Sequence, residues 1–147
     1  MLELWRESAI HVNTFRRQNE VILSLIANIR DAVRLVSLEN AADDLAIQIS
    51  MLAGKIRAHL NYEVKYLFPF LLENGDDALK EEAKCFMDEV ESTGQLFNAY
   101  KKRYNTKFKI LADTVGFLKA TEETLYSLEK RIEKEDKILY TLFKQGY

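Results

Sequence analysis

The sequence predicts an all-α protein, folded as an up-down-up-down antiparallel four-helix bundle. Three observations support this fold class. The 147-residue chain contains one proline and five glycines, so residues that interrupt helices are scarce. Apolar residues recur at steps of three and four in four segments, which is the spacing of one helix face. Short connections between these segments force neighbouring helices to run in opposite directions.

The first segment predicts a helix that ends near Ser37 and Asn40. These two polar residues offer capping groups for the start of a second helix. The apolar stripe of the first helix comprises Phe15, Ile22, Leu25, Ile26, Ile29 and Val33.

The second helix carries ionisable residues within its apolar stripe. We expect it to close at Pro69 and then at Asn74-Gly75, because proline and glycine are typical of helix C-terminal regions. Its stripe comprises Leu45, Ile49, Leu52, Ile56, His59, Glu63 and Leu67.

The third and fourth helices complete the bundle. Asp76 or Asp77 can cap the third helix, and a looser stretch, Asn105–Asp113, joins it to the fourth. The third stripe comprises Leu79, Ala83, Phe86, Val90, Gly94, Phe97 and Tyr104. The fourth comprises Leu118, Thr121, Leu125, Leu128, Ile132, Glu135, Leu139 and Leu142.

The composition is that of an ordinary globular chain, and its length suits a single domain over residues 1–147. The net charge is −2 with acids and bases interspersed, so we expect neither nucleic acid nor a membrane as partner. The first seven residues include acids and no apolar stretch follows, which argues against a signal peptide. The lone Cys85, predicted to be a small core or boundary residue, is consistent with a reducing compartment. We therefore expect a cytoplasmic protein.

Three ionisable residues on the predicted core faces need an explanation. His59 and Glu63 are four residues apart, so both lie on one face of the second helix and can point at the same spot. Glu135 lies on the core stripe of the fourth helix. Buried glutamates are normally paired or bound to a metal, whereas a small rotation of the helices would bring these acids to solvent.

The sequence around His59 resembles a known family. His59-x-x-x-Glu63 followed by Leu67-Phe68-Pro69 is similar to the second-helix signature of hemerythrin-like (HHE cation-binding) domains. The resemblance extends over nearly the whole chain, to the segments Gln18–Ile22, Glu89–Glu91 and Arg131–Asp136.

The resemblance implies a hemerythrin-like bundle and a set of positions for metal ligands. In that family, histidines and carboxylates from four helices bind two irons, and the sites handle dioxygen, nitric oxide or iron, or sense oxygen and redox state. His59, Glu63 and Glu135 match ligand positions. Family histidine positions hold other residues here, and the resulting vestigial site comprises Asn19, His59, Glu63, Val90, Gly94, Arg131 and Glu135. One imidazole and two carboxylates remain as possible ligands.

Arg131 suggests a replacement for the lost metal charge. Its guanidinium lies four residues before Glu135 on the same helix, within pairing range. We expect it to bridge Glu63 and Glu135, with an exposed Arg131 beside buried Ile132 as the alternative. The only other histidine, His11, is either a surrogate ligand or a histidine at the surface or end of the bundle.

Three functions are compatible with these residues. The first is a non-enzymatic hemerythrin-like bundle that has lost di-iron binding and acts as a binding or regulatory module, with no cofactor. The second is a residual iron site on His59, Glu63 and Glu135, involved in oxygen, nitric oxide or iron handling. The third is an enzyme of unknown type, which we do not expect, because the sequence has no nucleophile–base set, phosphate loop or Cys-x-x-Cys motif. The sequence does not identify the partner, which is a protein or a small ligand, and it is compatible with an oligomer.

Overall fold

A computed structural model describes the backbone of residues 2–147 and the side chains of residues 12–147. His11 therefore lies outside the described side chains. Every regular element of the described chain is helical, and none is both long and apolar enough to cross a lipid bilayer. The elements are α1 (Leu2–Leu35), α2 (Leu38–Tyr62), a π-helical turn (Glu63–Leu67), α3 (Phe68–Asn74), α4 (Asp77–Tyr104), α5 (Lys107–Ala112) and α6 (Thr114–Lys144).

The four long helices form a closed ring of neighbours. Helix α1 packs against α2 and α6, and α4 packs against the same two helices. The connections between successive long helices are short, so each helix runs antiparallel to the one before it. The predicted up-down-up-down four-helix bundle is confirmed.

The apolar core consists of two clusters, one toward each end of the bundle. One includes Ile49, Leu52, Tyr104 and Phe117. The other includes Phe15, Leu67, Phe68, Leu71 and Leu139. Along the helices, the boundary between the two clusters is occupied by the buried polar residues Asn19, His59, Glu63, Arg131 and Glu135. The candidate site is therefore sealed by apolar packing on both sides.

Several local features depart from the sequence predictions. The stretch expected to be loose contains the short helix α5, whose first turn is capped by Thr106. On α6, Phe117 is buried and Leu118 is 43% exposed, so the predicted stripe was wrong by one residue at its start. Cys85 is exposed, not a core or boundary residue. Asp76 caps α4 as predicted, since its carboxylate accepts a hydrogen bond from the Leu79 N–H at 2.9 Å.

Pro69 does not end the second long helix. A proline clashes with the carbonyl four residues earlier in an α-helix, here that of Lys65. The chain avoids this clash by widening into the π-helical turn, in which the Phe68 N–H donates to the Glu63 carbonyl five residues back. The helix then continues through α3 and ends at Asn74, followed by Gly75. Glu63 stands at the start of this irregular turn.

Candidate functional site

The site is built around the imidazole of His59, which α2 places in the middle of the bundle. Its Nε2 lies 2.8 Å from Glu135 Oε2 on α6. The same nitrogen lies 3.2 Å from Glu63 Oε1, one helical turn along its own helix. All three side chains are buried. The side chains of His59, Glu63 and Glu135 therefore meet in the middle of the bundle.

The other ring nitrogen of His59 faces α1. Its Nδ1 lies 2.6 Å from Gln18 Oε1. Because both ring nitrogens face oxygen acceptors, the protonated imidazolium, which donates from both, satisfies this geometry. The single Nε2–H is directed at Glu135, so the contact with Glu63 Oε1 is an ion pair without a hydrogen bond.

Arg131 is buried and joins the site to the surface. Its Nη2 donates to Glu63 Oε2 at 2.9 Å, and its Nη1 donates to Glu89 Oε2 on α4 at 3.2 Å. The guanidinium carbon lies 4.8 Å from the centroid of the Phe86 ring, a cation–π contact. Arg131 is 8% exposed, so the alternative of an exposed arginine was wrong.

The expected bridge from Arg131 to both buried glutamates was half wrong. Arg131 bonds Glu63, but its second partner is Glu89, not Glu135. Arg131 and Glu135 are neighbours along α6, yet Arg131 reaches toward α4 while Glu135 reaches His59 on α2. We name the four residues His59, Glu63, Arg131 and Glu135 the ion cluster.

The ion cluster shifts the acidities of its members. Burial lowers the pKa of His59, but its close contacts with the Glu135 and Glu63 carboxylates outweigh burial and raise the pKa to about 9. Burial raises the pKa of Glu135 to about 8. Burial also acts to raise the pKa of Glu63, but the close contact with His59 and the charge of Arg131 hold this pKa below its ordinary value. The His59–Glu135 pair therefore retains protons at neutral pH.

Asn19, where the resemblance places a histidine on α1, is buried beside the cluster. Its Nδ2 donates to Asp136 Oδ1 at 2.7 Å, and its Oδ1 has no hydrogen-bond partner. The other two vestigial positions lie on α4. Val90 packs against both apolar clusters, and Gly94 lies beside Leu60. Neither Val90 nor Gly94 offers a metal donor.

The remaining donors fit one metal ion and do not fit two. His59, Glu63 and Glu135 each offer one ligand atom, and these atoms lie within 4.8 Å of one another. One oxygen of each glutamate lacks a hydrogen bond, so it is free to accept a cation. A second ion would need donors from α4 and from residue 131, where this chain supplies Val90 and a guanidinium cation.

Sequence reasoning missed three residues that complete the site. Gln18, Glu89 and Asp136 hold His59, Arg131 and Asn19 in place. Each is adjacent in sequence to a vestigial position, which is the one signal that could have identified it. Polar residues beside a core stripe are usually solvated, so the residue types alone did not indicate a role in the site.

Comparison with known proteins identifies the family. The chain has no significant match among curated proteins and none among solved structures. The model of the hemerythrin HHE cation-binding domain matches residues 11–143, a range that contains most of each long helix and the whole ion cluster. The chain therefore belongs to the hemerythrin HHE cation-binding domain family.

Proposed function

We propose that this domain is a non-enzymatic binding or regulatory module whose core is held by internal cations in place of a di-iron centre. The observation that carries the proposal is the 2.9 Å bond from Arg131 Nη2 to Glu63 Oε2. A guanidinium is permanently charged, so it supplies at this position the positive charge that a metal would supply.

Protons supply the rest of the positive charge. The raised pKa values of His59 and Glu135 mean that this pair holds protons at neutral pH, and a metal ion would have to displace them. Arg131 has further partners in Glu89 and the Phe86 ring, which hold its guanidinium in place. A cation fixed by three contacts is a poor candidate for displacement by iron. In this proposal the buried site is structural, and binding of a protein or small ligand takes place elsewhere on the bundle.

The lone cysteine supports a cytoplasmic location.

A second function is favoured by the free glutamate oxygens. One metal ion would be held by His59, Glu63 and Glu135, with Arg131 retained on the other oxygen of Glu63. Bound iron would supply redox chemistry toward dioxygen or nitric oxide. This chain's own residues would orient the ligands, through Gln18 on His59 and Arg131 on Glu63.

Metal analysis of the purified protein tests the proposal. We expect colourless protein with well under one iron per chain and no near-ultraviolet absorption from an oxo bridge. Melting temperature is then measured anaerobically with added iron(II), manganese(II) or zinc(II), because a ligand that binds only the folded state raises it. Glu135→Gln is the matched control, since it removes one candidate ligand. A rise of several degrees in the wild type that Glu135→Gln abolishes would establish the single-metal function, and two irons per chain would contradict both.

A further inference from the structure

A groove of about 620 Å³ lies between α4 and α6, on the outer side of Arg131. Its walls combine an apolar surface with hydroxyl groups and basic side chains. The groove is lined by Glu89, Ser92, Thr93, Leu96, Phe97, Tyr126, Ser127, Leu128, Lys130, Arg131 and Lys134.

The charge of this α4–α6 groove is opposite to that of the chain. Lys130, Arg131 and Lys134 line it against the single acid Glu89, whereas the whole chain has a net charge of −2. Lys134 has no ion-pair partner among the side chains of residues 12–147. Lys130 makes an exposed contact with Glu133 at 3.4 Å, which is worth little in water, and its Nζ lies 5.4 Å from the centroid of the Tyr126 ring. The groove therefore favours an anion.

Arg131 adds a buried donor to these two surface lysines. It is 8% exposed, lines the groove, and its Nε has no hydrogen-bond partner. Its Nη1 is held by Glu89, whose side chain is 55% exposed at the groove. An exposed carboxylate on a buried guanidinium is easily exchanged for another oxyanion, because the bond is screened by water. Glu89 thus occupies the place that an anionic ligand would take.

We propose that the α4–α6 groove binds a phosphoryl group, either as free phosphate or as a small phosphomonoester. A phosphomonoester carries a charge near −2 and three acceptor oxygens, so it exceeds a single carboxylate as a partner for three bases. The phosphoryl group displaces Glu89 from Arg131 Nη1 and bonds Lys130 and Lys134. The Thr93 and Ser127 hydroxyls lie along the same walls and donate further hydrogen bonds. The organic part of an ester contacts the exposed side chains of Leu96 and Tyr126.

This inference rests on the proposed function, because it names a ligand class for the binding module. The groove does not include His59, Glu63 or Glu135, the three residues that could hold a metal ion. Metal analysis and anion titration therefore fail independently. An iron-loaded protein would contradict the proposed function alone. Absence of phosphate binding would overturn the groove and leave the ion cluster as described.

Calorimetric titration at low ionic strength tests the groove, with inorganic phosphate and phenyl phosphate as probes. We expect one saturable site in the wild type. Lys134→Ala and Lys130→Ala should each weaken binding by up to roughly tenfold, as expected for loss of a charge-assisted hydrogen bond. The matched control is Lys137→Ala, an exposed lysine on α6 that does not line the groove. It should change affinity less than twofold, in keeping with the small effect of distant surface charges.

Removal of the competing acid gives a test in the opposite direction. Glu89→Gln should tighten binding of both probes several-fold, because Arg131 Nη1 loses its anionic partner. Asp88→Asn is the matched control, since it removes the same charge from the adjacent exposed residue outside the groove. Equal affinity for the two probes would assign the site to free phosphate, and tighter phenyl phosphate to an ester. No binding at millimolar concentration, or equal effects of Glu89→Gln and Asp88→Asn, would overturn the proposal.

Discussion

His59 Nε2 lies 2.8 Å from Glu135 Oε2, and this bond joins α2 to α6 in the interior of the bundle. The bond is sealed from water, since both side chains are buried between two apolar clusters. Electrostatic contacts are stronger in such surroundings, and a group left without its partner costs more. The chain's dependence on pH and on single substitutions should therefore concentrate at the ion cluster.

Stability should fall as pH rises from about 6.5 to 9. His59 has a pKa of about 9 when folded against an ordinary 6.5, so its stabilising contribution is complete below pH 6.5 and is lost toward pH 9. Glu135, whose pKa is raised from 4.5 to about 8, has the same sign in a lower window, from about pH 4.5 to 8, because the folded state again binds the extra proton. Glu63 has the opposite sign, and its contribution is lost only in acid. The His59 contribution is on the order of 3 kcal/mol.

Urea unfolding at pH 6, 7, 8 and 9 measures this slope. His59→Gln removes the titrating group and keeps a side-chain amide that can donate to Glu135, so its slope should be flatter. An unchanged slope in that variant would mean that the pH dependence originates elsewhere. The proton NMR titration of His59, assigned with His11→Gln, should give a midpoint near 9.

Arg131→Ala should destabilise the protein by about 3–5 kcal/mol near pH 7, the usual cost of removing one partner of a buried ion pair. The substitution leaves Glu63 buried without its guanidinium and removes the contact with the Phe86 ring. Stability should recover in part at acidic pH, as the stranded Glu63 takes up a proton. Chemical denaturation at pH 7 and pH 5 measures both effects.

The control for Arg131→Ala is Arg57→Ala, which removes an exposed arginine of α2 with no ion-pair partner among the described side chains. Its effect should be within about 0.5 kcal/mol of zero. A mild and pH-independent loss in Arg131→Ala, similar to that of Arg57→Ala, would show that Arg131 does not hold the buried carboxylate.

Two glycines should respond oppositely to alanine. Gly54 lies within α2 and a Cβ there would meet nothing within 4 Å, so Gly54→Ala should stabilise by about 0.5–1 kcal/mol through helix propensity. Gly75 ends α3, and its Cβ would lie 2.5 Å from the Leu71 carbonyl oxygen, so Gly75→Ala should destabilise. Thermal melts of the two variants compare them directly, and a stabilising Gly75→Ala would refute the packing at this helix end.

The family assignment predicts that iron binding can be restored. The triple change Asn19→His, Val90→His and Arg131→His, with His59, Glu63 and Glu135, would present four imidazoles and two carboxylates from four helices. The metal-free variant should be less stable than wild type, because it loses the Arg131 charge and buries a polar ring at residue 90. Iron(II) should raise its melting temperature. Asp136, now bonded to Asn19, is placed to orient the new imidazole at position 19.

The triple variant also carrying Glu135→Gln is the control for restored iron binding, and its melting temperature should respond less to iron(II). If the folded triple variant shows no response to iron(II), the assignment of Asn19, Val90 and Arg131 to ligand positions is wrong.

Sequence reasoning predicted the bundle and the common face of His59 and Glu63 because both depend on helical periodicity. Residues four apart share a face whatever the neighbouring helices are. The partner of Arg131 depends instead on the rotation of α6 against α4 and α2. Periodicity does not specify that rotation, so the sequence indicated Glu135 where the structure has Glu89.

The continuation of the helix past Pro69 could not be predicted for a related reason. Proline normally ends a helix. Here the burial of Phe68 and Leu71 in the apolar cluster offsets the energetic cost of the distorted turn, and this burial is a tertiary contact. The first residue of the buried stripe on α6 was predicted wrongly because Phe117 and Leu118 are both apolar. Which of the two is buried depends on the preceding short helix α5.

The π-helical turn has a consequence for the tolerance of the chain to changes in length. The buried residues His59, Glu63, Leu67 and Leu71 follow one another at three successive steps of four. On a regular α-helix each such step would drift by about 40° around the axis, so the last of these residues would leave the core. The wider turn absorbs this drift, so the residues of the ion cluster and those beyond the turn face the core on the same side of the helix. Deleting one residue from the turn would restore regular helical bonding and leave steps of four, three and four, which keep the residues beyond it on the core face.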